Sequence, residues 1–173
     1  MWDCNRGTAP ILWVKAPSVA TWTAQVKFEM PSRLGRTFCG LVLWNGRKDR
    51  PVNALYVGPA ETTEIQVAGS YRGGCRSGHG NLADLEGSLG DFRTRYTGAG
   101  GWLRLSKQGN RVSFYFKSPY QKQWRFLGSL VIEKKDGFSH IGLMAKTWSN
   151  EPMQVSFSDF RIMPGLAGVK RWV

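Results

Sequence analysis

Long apolar runs are absent from this sequence of 173 residues, and no run approaches the roughly 18 to 20 residues that a membrane-spanning helix requires. The first residues, MWDCNRGTAPILWVKAP, also lack the basic start and the long apolar centre of a secretion signal. We therefore predict no membrane span. The compartment stays open, because a piece of a longer secreted protein would be extracellular without carrying its own signal.

Cysteine is also scarce. The three cysteines, Cys4, Cys39 and Cys75, cannot all pair within one chain, and none of them lies in a CxxC motif or in a Cys/His cluster with zinc-binding spacing. Cys39 lies in the apolar run TFCGLVLW, which predicts a small buried side chain. The sequence thus argues against a thiolate metal site and leaves a disulfide open.

No pair of carboxylates has the arrangement that glycoside hydrolysis requires. Glycosidases hold two carboxyl groups about 5 to 5.5 Å apart for retention, or about 6.5 to 9.5 Å apart for inversion. The closest candidates here, Glu61 and Glu64, would fall on opposite faces of an extended segment. His79 and His140 are far apart in sequence and have no nucleophile motif beside them. We therefore predict that the chain is not an enzyme.

Helical periodicity is missing as well, and strand-like alternation takes its place. In TWTAQVKFEM, residues 21–30, every second side chain is apolar, which is typical of a half-buried strand. The 21 glycines and the 8 Trp, 5 Tyr and 9 Phe favour turns and strands over helices. Further strands are predicted at residues 11–14, 37–44, 54–57, 64–68, 102–106, 111–117, 124–133, 140–148 and 154–162.

These short strands predict an all-β fold, either a sandwich or a barrel. A chain of this length builds an adequate core as one domain, so we expect residues 1–173 to form a single unit. Residues 107–110, KQGN, predict a tight turn that pairs strand 102–106 with strand 111–117. Residues 70–101 are rich in glycine and poor in large aliphatic side chains, which predicts a long loop or irregular excursion.

Acidic residues are few, and the formal net charge is +12. Between Asp91 and Glu133 the sequence has eight basic residues and no acidic one. The predicted hairpin would bring cations and flat rings onto one surface, because alternate side chains of paired strands share a face. The outward residues are Trp102, Arg104 and Ser106 on one strand and Arg111, Ser113, Tyr115 and Lys117 on the other.

This surface allows three interpretations. Guanidinium groups match the geometry of carboxylate and sulfate, and rings pack on sugar faces, so the surface fits an acidic polysaccharide. It also fits a phosphate backbone with bases stacked on its rings, or a solvated basic face without a ligand. The predicted ligand-binding residues are Trp102, Arg104, Arg111, Tyr115 and Lys117, with Trp44, Tyr56, Tyr71 and Trp148 as further stacking candidates. Trp13, Trp22 and Trp124 are assigned to the core.

A series of motifs in fixed order resembles a known family. FEMPSRLGRTFCGLVLW, NALYVG, GWLRLSKQGNRVSFYFKSPYQKQWRFLGS, HIGLMAKTW and VSFSDFRI are similar in order to the concanavalin A-like (laminin G-like) jelly rolls, including the C-terminal sandwich of family 43 glycosidases. The resemblance covers most of residues 22–162 and implies two curved antiparallel sheets. It also implies a structural calcium ion near the N-terminus and the last strand, with Asp159 and Asp3 as the positions concerned. The alternative for Asp159 is a hydrogen-bonding role within that strand.

The usual role of such a sandwich is to bind carbohydrate or to support a neighbouring catalytic domain. From the resemblance and the basic, aromatic hairpin together, we predict a non-catalytic carbohydrate-binding or accessory module whose ligand is a glycan, with acidic glycans favoured by the charge. The competing prediction is a basic structural or interaction module that docks onto an acidic partner, either a protein or a nucleic acid, in a larger assembly.

Overall fold

In the part of the chain that the structure describes, twelve strands and one short 3-10 helix, Lys134–Asp136, make up the regular structure. The computed structural model describes residues 11–31, 37–47, 53–60, 63–78, 82–147 and 152–165. The strands are β1 (Ile11–Lys15), β2 (Thr21–Glu29), β3 (Thr37–Trp44), β4 (Ala54–Ala60), β5 (Glu64–Tyr71), β6 (Gly74–Ser77), β7 (Arg93–Arg95), β8 (Gly100–Gln108), β9 (Arg111–Lys117), β10 (Arg125–Val131), β11 (His140–Thr147) and β12 (Ser156–Pro164).

The strands form two antiparallel sheets. One has seven strands in the order β1-β11-β3-β4-β5-β6, with β7 also paired to β5, and the other has five in the order β10-β9-β8-β2-β12. Side chains from both sheets form one apolar core between them. The predicted all-β sandwich of jelly-roll type is therefore confirmed. No helix in the described part of the chain is long and apolar enough to span a membrane.

Core side chains alternate with outward-facing ones along the strands, as the sequence predicts. Trp22 and Phe28 of β2 and Phe114 of β9 are at most 1% exposed, while their sequence neighbours point to the opposite face. Each such burial contributes about 1.5 to 3 kcal/mol to the free energy of unfolding. Cys39 is a fully buried thiol, and Cys75 is disulfide-bonded.

The segment predicted as a long loop or irregular excursion, residues 70–101, combines short strands with irregular chain where the structure describes it. It contains the end of β5, all of β6 and β7 and the start of β8. Between β6 and β7, Leu82 and Phe92 are at most 1% exposed and belong to the core. Single apolar residues in a glycine-rich sequence have no periodicity, so nothing local signals their burial.

Residues 82–92, here called the strap, run along the outer edge of β10. The N–H of Phe92 donates to the carbonyl of Leu127 at 2.7 Å, and Leu89 exchanges two hydrogen bonds with Ser129. The Phe92 ring packs over Gly128, where a Cβ would lie 2.6 Å from the ring. The strap thus pairs with an edge strand that would otherwise expose its backbone groups.

A matched pair of substitutions tests whether the strap is part of the cooperative fold. We expect Phe92→Ala to lower the free energy of unfolding by about 3 to 5 kcal/mol, because it removes a fully buried ring. Leu89→Ala, at a side chain that is 59% exposed, should change it by less than about 0.5 kcal/mol. Urea denaturation followed by circular dichroism measures both. Equally small effects of both substitutions would show that the strap is not part of the cooperative fold.

A buried carboxylate, Asp136, ties the β5–β6 turn to the short 3-10 helix. Its Oδ2 accepts hydrogen bonds from the Tyr71 hydroxyl at 2.8 Å and from the backbone N–H of Glu133 at 2.7 Å. Its Oδ1 accepts one from Arg72 Nε at 3.2 Å. The Asn53 amide donates to the Asp136 carbonyl at 2.8 Å, so the residue that precedes β4 is joined to the same point.

The surroundings of Asp136 favour its charged form. Burial raises the pKa of this carboxyl, but the hydrogen bonds from the Glu133 backbone, Arg72 and Tyr71 outweigh burial, so its pKa lies below the usual value. Burial and the bond to Asp136 raise the pKa of the Tyr71 phenol. Tyr71, a predicted stacking candidate, is fully buried here and holds this network together.

We expect Asp136→Asn to lower the free energy of unfolding at neutral pH by about 3 kcal/mol, because Arg72 loses a buried ionic partner. A carboxyl whose pKa is lowered by folding contributes stability above its unfolded pKa of about 3.9. That contribution is lost as the pH falls through the folded pKa.

Urea denaturation between about pH 7 and about pH 2 should therefore show the difference between wild type and Asp136→Asn shrinking in the acid range. Glu133→Gln, which removes the exposed partner of Arg72, is the control and should have a much smaller effect. A difference that stays constant down to the lowest pH would show that the charge of Asp136 does not stabilise the fold.

Candidate functional site

The predicted hairpin is present, with β8 paired to β9. Trp102 lies opposite Lys117, Arg104 opposite Tyr115 and Ser106 opposite Ser113. The turn between the strands contains Gly109 at a φ of 59°, a conformation that glycine adopts without strain. The side chains in between, those of Leu103, Leu105, Val112, Phe114 and Phe116, point into the core. The basic and aromatic side chains therefore share the outer face of the five-stranded sheet.

The strands on either side of the hairpin extend this surface. On β2, Lys27 lies opposite Trp102 and Gln25 opposite Arg104. On β10, Phe126 lies opposite Tyr115. We call the resulting surface the ring-and-cation face. It consists of Gln25, Lys27, Trp102, Arg104, Tyr115, Lys117, Trp124 and Phe126.

Arg104 is the buried centre of this face. Its guanidinium carbon lies 3.8 Å from the centre of the Trp124 ring, and its Nη2 donates to Gln25 Oε1 at 3.0 Å. The side chain is 7% exposed, and burial lowers the pKa of its guanidinium. Arginine nevertheless stays protonated in proteins. Arg104 therefore supplies a fixed positive charge from below the surface and joins β2 to the segment before β10.

Trp124 was assigned to the core from sequence, and that assignment is wrong. The ring is half-buried, and both Arg104 and Lys117 lie over it. It precedes β10, where the alternation of a strand does not yet fix which way a side chain points. The attraction between the guanidinium of Arg104 and the indole holds it on the outer face instead.

Lysine ammonium groups cover the other tryptophan of the face. Lys117 Nζ lies 4.5 Å from the centre of a Trp102 ring and 5.3 Å from that of Trp124, and Lys27 Nζ lies 5.7 Å from Trp102. Such contacts contribute about 0.5 to 1 kcal/mol each at exposed sites. A ligand that approaches these indoles therefore meets positive charge before it meets a bare ring.

Uncovered ring surface lies beside these cations. Tyr115 is half-buried and Phe126 is 45% exposed, and their ring centres are 5.6 Å apart with the planes tilted by 59°. Tyr120, in the loop between β9 and β10, is 94% exposed. The face thus combines accessible rings with positive charge, which is the combination that the sequence predicted.

Arg111 lies on the same strand as Tyr115 but is not part of the ring-and-cation face. It is four residues away, or about 13 Å along the strand. Its Nη1 donates to the Gly87 carbonyl at 3.0 Å and to Ser129 Oγ at 2.8 Å. Arg111 therefore joins β9 to the strap and to β10.

The other predicted stacking residues are not brought to this face. Trp44 and Tyr56 lie on the outer face of the seven-stranded sheet, on the opposite side of the sandwich, and are 5% and 3% exposed. Burial raises the pKa of the Tyr56 phenol. Trp148 lies outside the residues that the structure describes, as do Asp3 and His79.

Trp13 was also assigned to the core, and the structure corrects this assignment. The indole is 50% exposed and is the most exposed tryptophan in the described part of the chain. It packs edge-on against His140, with ring centres 4.4 Å apart, and lies 6.1 Å from Trp44. The reason is its place on β1, the edge strand of the seven-stranded sheet.

Asp159, the predicted calcium position, lies in an irregular part of β12 with a φ of 54°. Its carboxylate accepts a hydrogen bond from Arg161 Nη2 at 3.3 Å. Among the described residues, no group of three or more His, Cys, Asp or Glu side chains could hold a metal ion. Calcium takes six to eight oxygen ligands, so this carboxylate alone does not fit the ion, and the calcium site stays a prediction.

Comparison with known proteins shows that several solved structures have a similar fold. No protein-family model matches the chain, and no curated protein matches it. A protein of unknown function from Saccharomyces cerevisiae is 17% identical, with a TM-score of 0.68, and the match covers 93% of this chain and 77% of that one.

The structures of a GH43 protein and of a xylosidase are also similar. The GH43 protein BlXynB from Bacillus licheniformis is 16% identical, with a TM-score of 0.67, over 94% of this chain and 31% of its own. A xylan β-1,4-xylosidase from Bacillus halodurans C-125 is 14% identical, with a TM-score of 0.63, over 85% of this chain and 28% of its own. This chain therefore spans less than a third of either protein. At these identities the similarity shows the sandwich fold alone.

The buried position of Arg104 leads to a stability prediction. We expect Arg104→Ala to lower the free energy of unfolding by about 2 kcal/mol, through loss of the contact with Trp124 and of the bond to Gln25. Arg161→Ala, at an exposed arginine of the same sheet, is the control and should change it by less than about 0.5 kcal/mol. Urea denaturation followed by circular dichroism distinguishes them. Equal effects would mean that Arg104 is not a structural centre of the face.

Proposed function

We propose that the chain is a non-catalytic carbohydrate-binding or accessory module of the concanavalin A-like type, and that it binds acidic glycans through the ring-and-cation face. The observation that carries the proposal is the arrangement of Lys27 and Lys117 over Trp102, next to the accessible rings of Tyr115 and Phe126. An acidic sugar needs both features at once, a cation for its carboxylate or sulfate and a flat ring for its pyranose face.

The lysines over the indoles favour an acidic ligand over a neutral one. A neutral sugar that stacked on Trp102 would have to displace the ammonium groups of Lys27 and Lys117. A carboxylate or sulfate gains attraction from the ammonium group of Lys117 without displacing it, whereas that of Lys27 is already paired with Glu29. The buried guanidinium of Arg104 adds to the positive potential at this point, because charge below the surface is screened less by salt.

The proteins that share the fold support an accessory role. In the GH43 protein and the xylosidase the matching region is only part of a longer chain. We propose that this module serves a neighbouring catalytic domain by holding glycan near it. On the ring-and-cation face itself the side chains are cationic, aromatic or amide, and the nearest carboxylate, that of Glu29, forms an ion pair with Lys27 at 2.6 Å.

A second function, docking onto an acidic protein or nucleic acid, has one observation in its favour. The net charge of +12 is far above what a glycan site alone requires. Binding to a phosphate backbone weakens steeply as salt rises, because it depends on the release of counterions. Stacking of a sugar on Tyr115 and Phe126 would persist at moderate salt. The salt dependence of binding therefore separates the two functions.

A glycan array with uronate-containing, sulfated and neutral oligosaccharides, at low and moderate salt, tests the proposal. We expect Tyr115→Ala to weaken binding of acidic glycans roughly tenfold, or about 1.4 kcal/mol, through loss of the stacking ring. Lys117→Gln should weaken acidic glycans by a similar factor and leave neutral ones unchanged.

Lys15→Gln is the matched control, because it removes the same charge from exposed β1 at the edge of the other sheet. It should leave binding unchanged. Single-stranded DNA is included on the array. Binding to every polyanion with steep loss in salt would favour the docking function, and absence of glycan binding would overturn the proposal.

A further inference from the structure

A groove of about 840 Å³ lies on another side of the sandwich, beside β7. There β7, at one side of the seven-stranded sheet, approaches β10, the edge strand of the five-stranded sheet. The strap lies along the same border. The charged side chains that line the groove are Arg93, Arg95, Arg125, Glu64 and Asp91.

Three arginines supply the positive charge of this groove. Arg93 and Arg95 alternate on β7 and so project from the same face of the sheet, and both are exposed. Arg125 is the first residue of β10 and is exposed as well. Among the residues that the structure describes, neither Arg95 nor Arg125 makes a side-chain hydrogen bond or an ion pair. Their guanidinium groups are therefore available to an anion.

The other residues that line the groove restrict the chemical class of anion that fits it. The carboxylates of Glu64 and Asp91 would repel a ligand that carried a charge at every repeat, but they accept hydrogen bonds from hydroxyl groups. Phe92, the one aromatic residue among those described in the lining, is 1% exposed, so it offers no surface on which a nucleic acid base could stack. A ligand with many hydroxyl groups and widely spaced negative charges fits this lining better than a nucleic acid does.

We propose that this groove is a second subsite for acidic glycans, in which Arg95 and Arg125 bind a carboxylate or sulfate group. The proposal rests on the proposed carbohydrate-binding function and extends it to a longer ligand. Guanidinium groups bind these anions through paired N–H donors, which lysine cannot reproduce.

The position of Arg125 connects the two subsites. It lies between Trp124 and Phe126, whose rings belong to the ring-and-cation face, and alternation along β10 directs Arg125 to the other side of the strand. The strap pairs with β10 at Leu127 and Ser129, beyond Arg125. One glycan chain that crosses the start of β10 can therefore contact both subsites.

The double variant Arg95→Gln with Arg125→Gln tests the groove. We expect it to weaken binding of an acidic xylan-derived decasaccharide with widely spaced glucuronate branches by at least about tenfold, measured by isothermal titration calorimetry, because two charge-assisted contacts are lost. A neutral xylan-derived decasaccharide should be unaffected. Lys15→Gln is again the control, and both arginines are exposed, so thermal unfolding of the double variant should match wild type.

Each outcome bears on one subsite. If the double variant binds the acidic decasaccharide like wild type while Tyr115→Ala does not, the groove inference is overturned and the proposed function stands. If only the double variant loses binding, the groove is supported and the ring-and-cation face is not. If wild type binds no glycan, both fail. If the groove variant loses a dT20 oligonucleotide as strongly as it loses the acidic decasaccharide, the groove binds polyanions in general and its assignment to glycans is overturned.

Discussion

The register of the β8–β9 hairpin is the constraint on which the rest of this surface depends. Leu103, Leu105 and Phe114 have no exposed surface, and they point inward only because Trp102, Arg104 and Tyr115 point outward. A slip of one residue would move the guanidinium and the indole into the core and the leucines into water. The free energy that buries the leucines therefore also positions the cations on the opposite face, and the turn at Gly109 fixes the pairing.

Within the face, rings and cations stabilise one another because carboxylates are scarce. In a protein with balanced charges, lysines on a sheet surface would pair with nearby Asp or Glu. Here Lys117 lies over two indoles instead, and Arg104 lies against one of them with Gln25 as its hydrogen-bond partner. Contacts of this kind hold a cation in place without neutralising it, so the positive charge remains available to a ligand.

The parts of the fold that follow from local pattern could be predicted from sequence. Strand β2 and the hairpin alternate over seven or more residues, and the structure confirms both. The burial of Phe92 and the exposure of Trp13 could not be predicted, because the first depends on the pairing of the strap with β10 and the second on the place of β1 at the edge of its sheet. The contact between Arg104 and Trp124 joins residues from different segments, and only the folded chain brings them together. Sequence thus predicted which face carries the charge, but not which of its rings are covered.

The two outer faces of the sandwich differ, and this difference decides where a ligand can bind. On the seven-stranded sheet, Phe38, Val42 and Tyr56 are buried although they point away from the central core, and they form an apolar cluster of their own. Strands β3 and β4 approach so closely there that a Cβ on Gly58 would lie 1.8 Å from the Cys39 carbonyl oxygen. A sugar that stacked on Tyr56 would first need that cluster to open. On the five-stranded sheet, Tyr115 and Phe126 are accessible as they stand, so binding there requires no rearrangement of the fold.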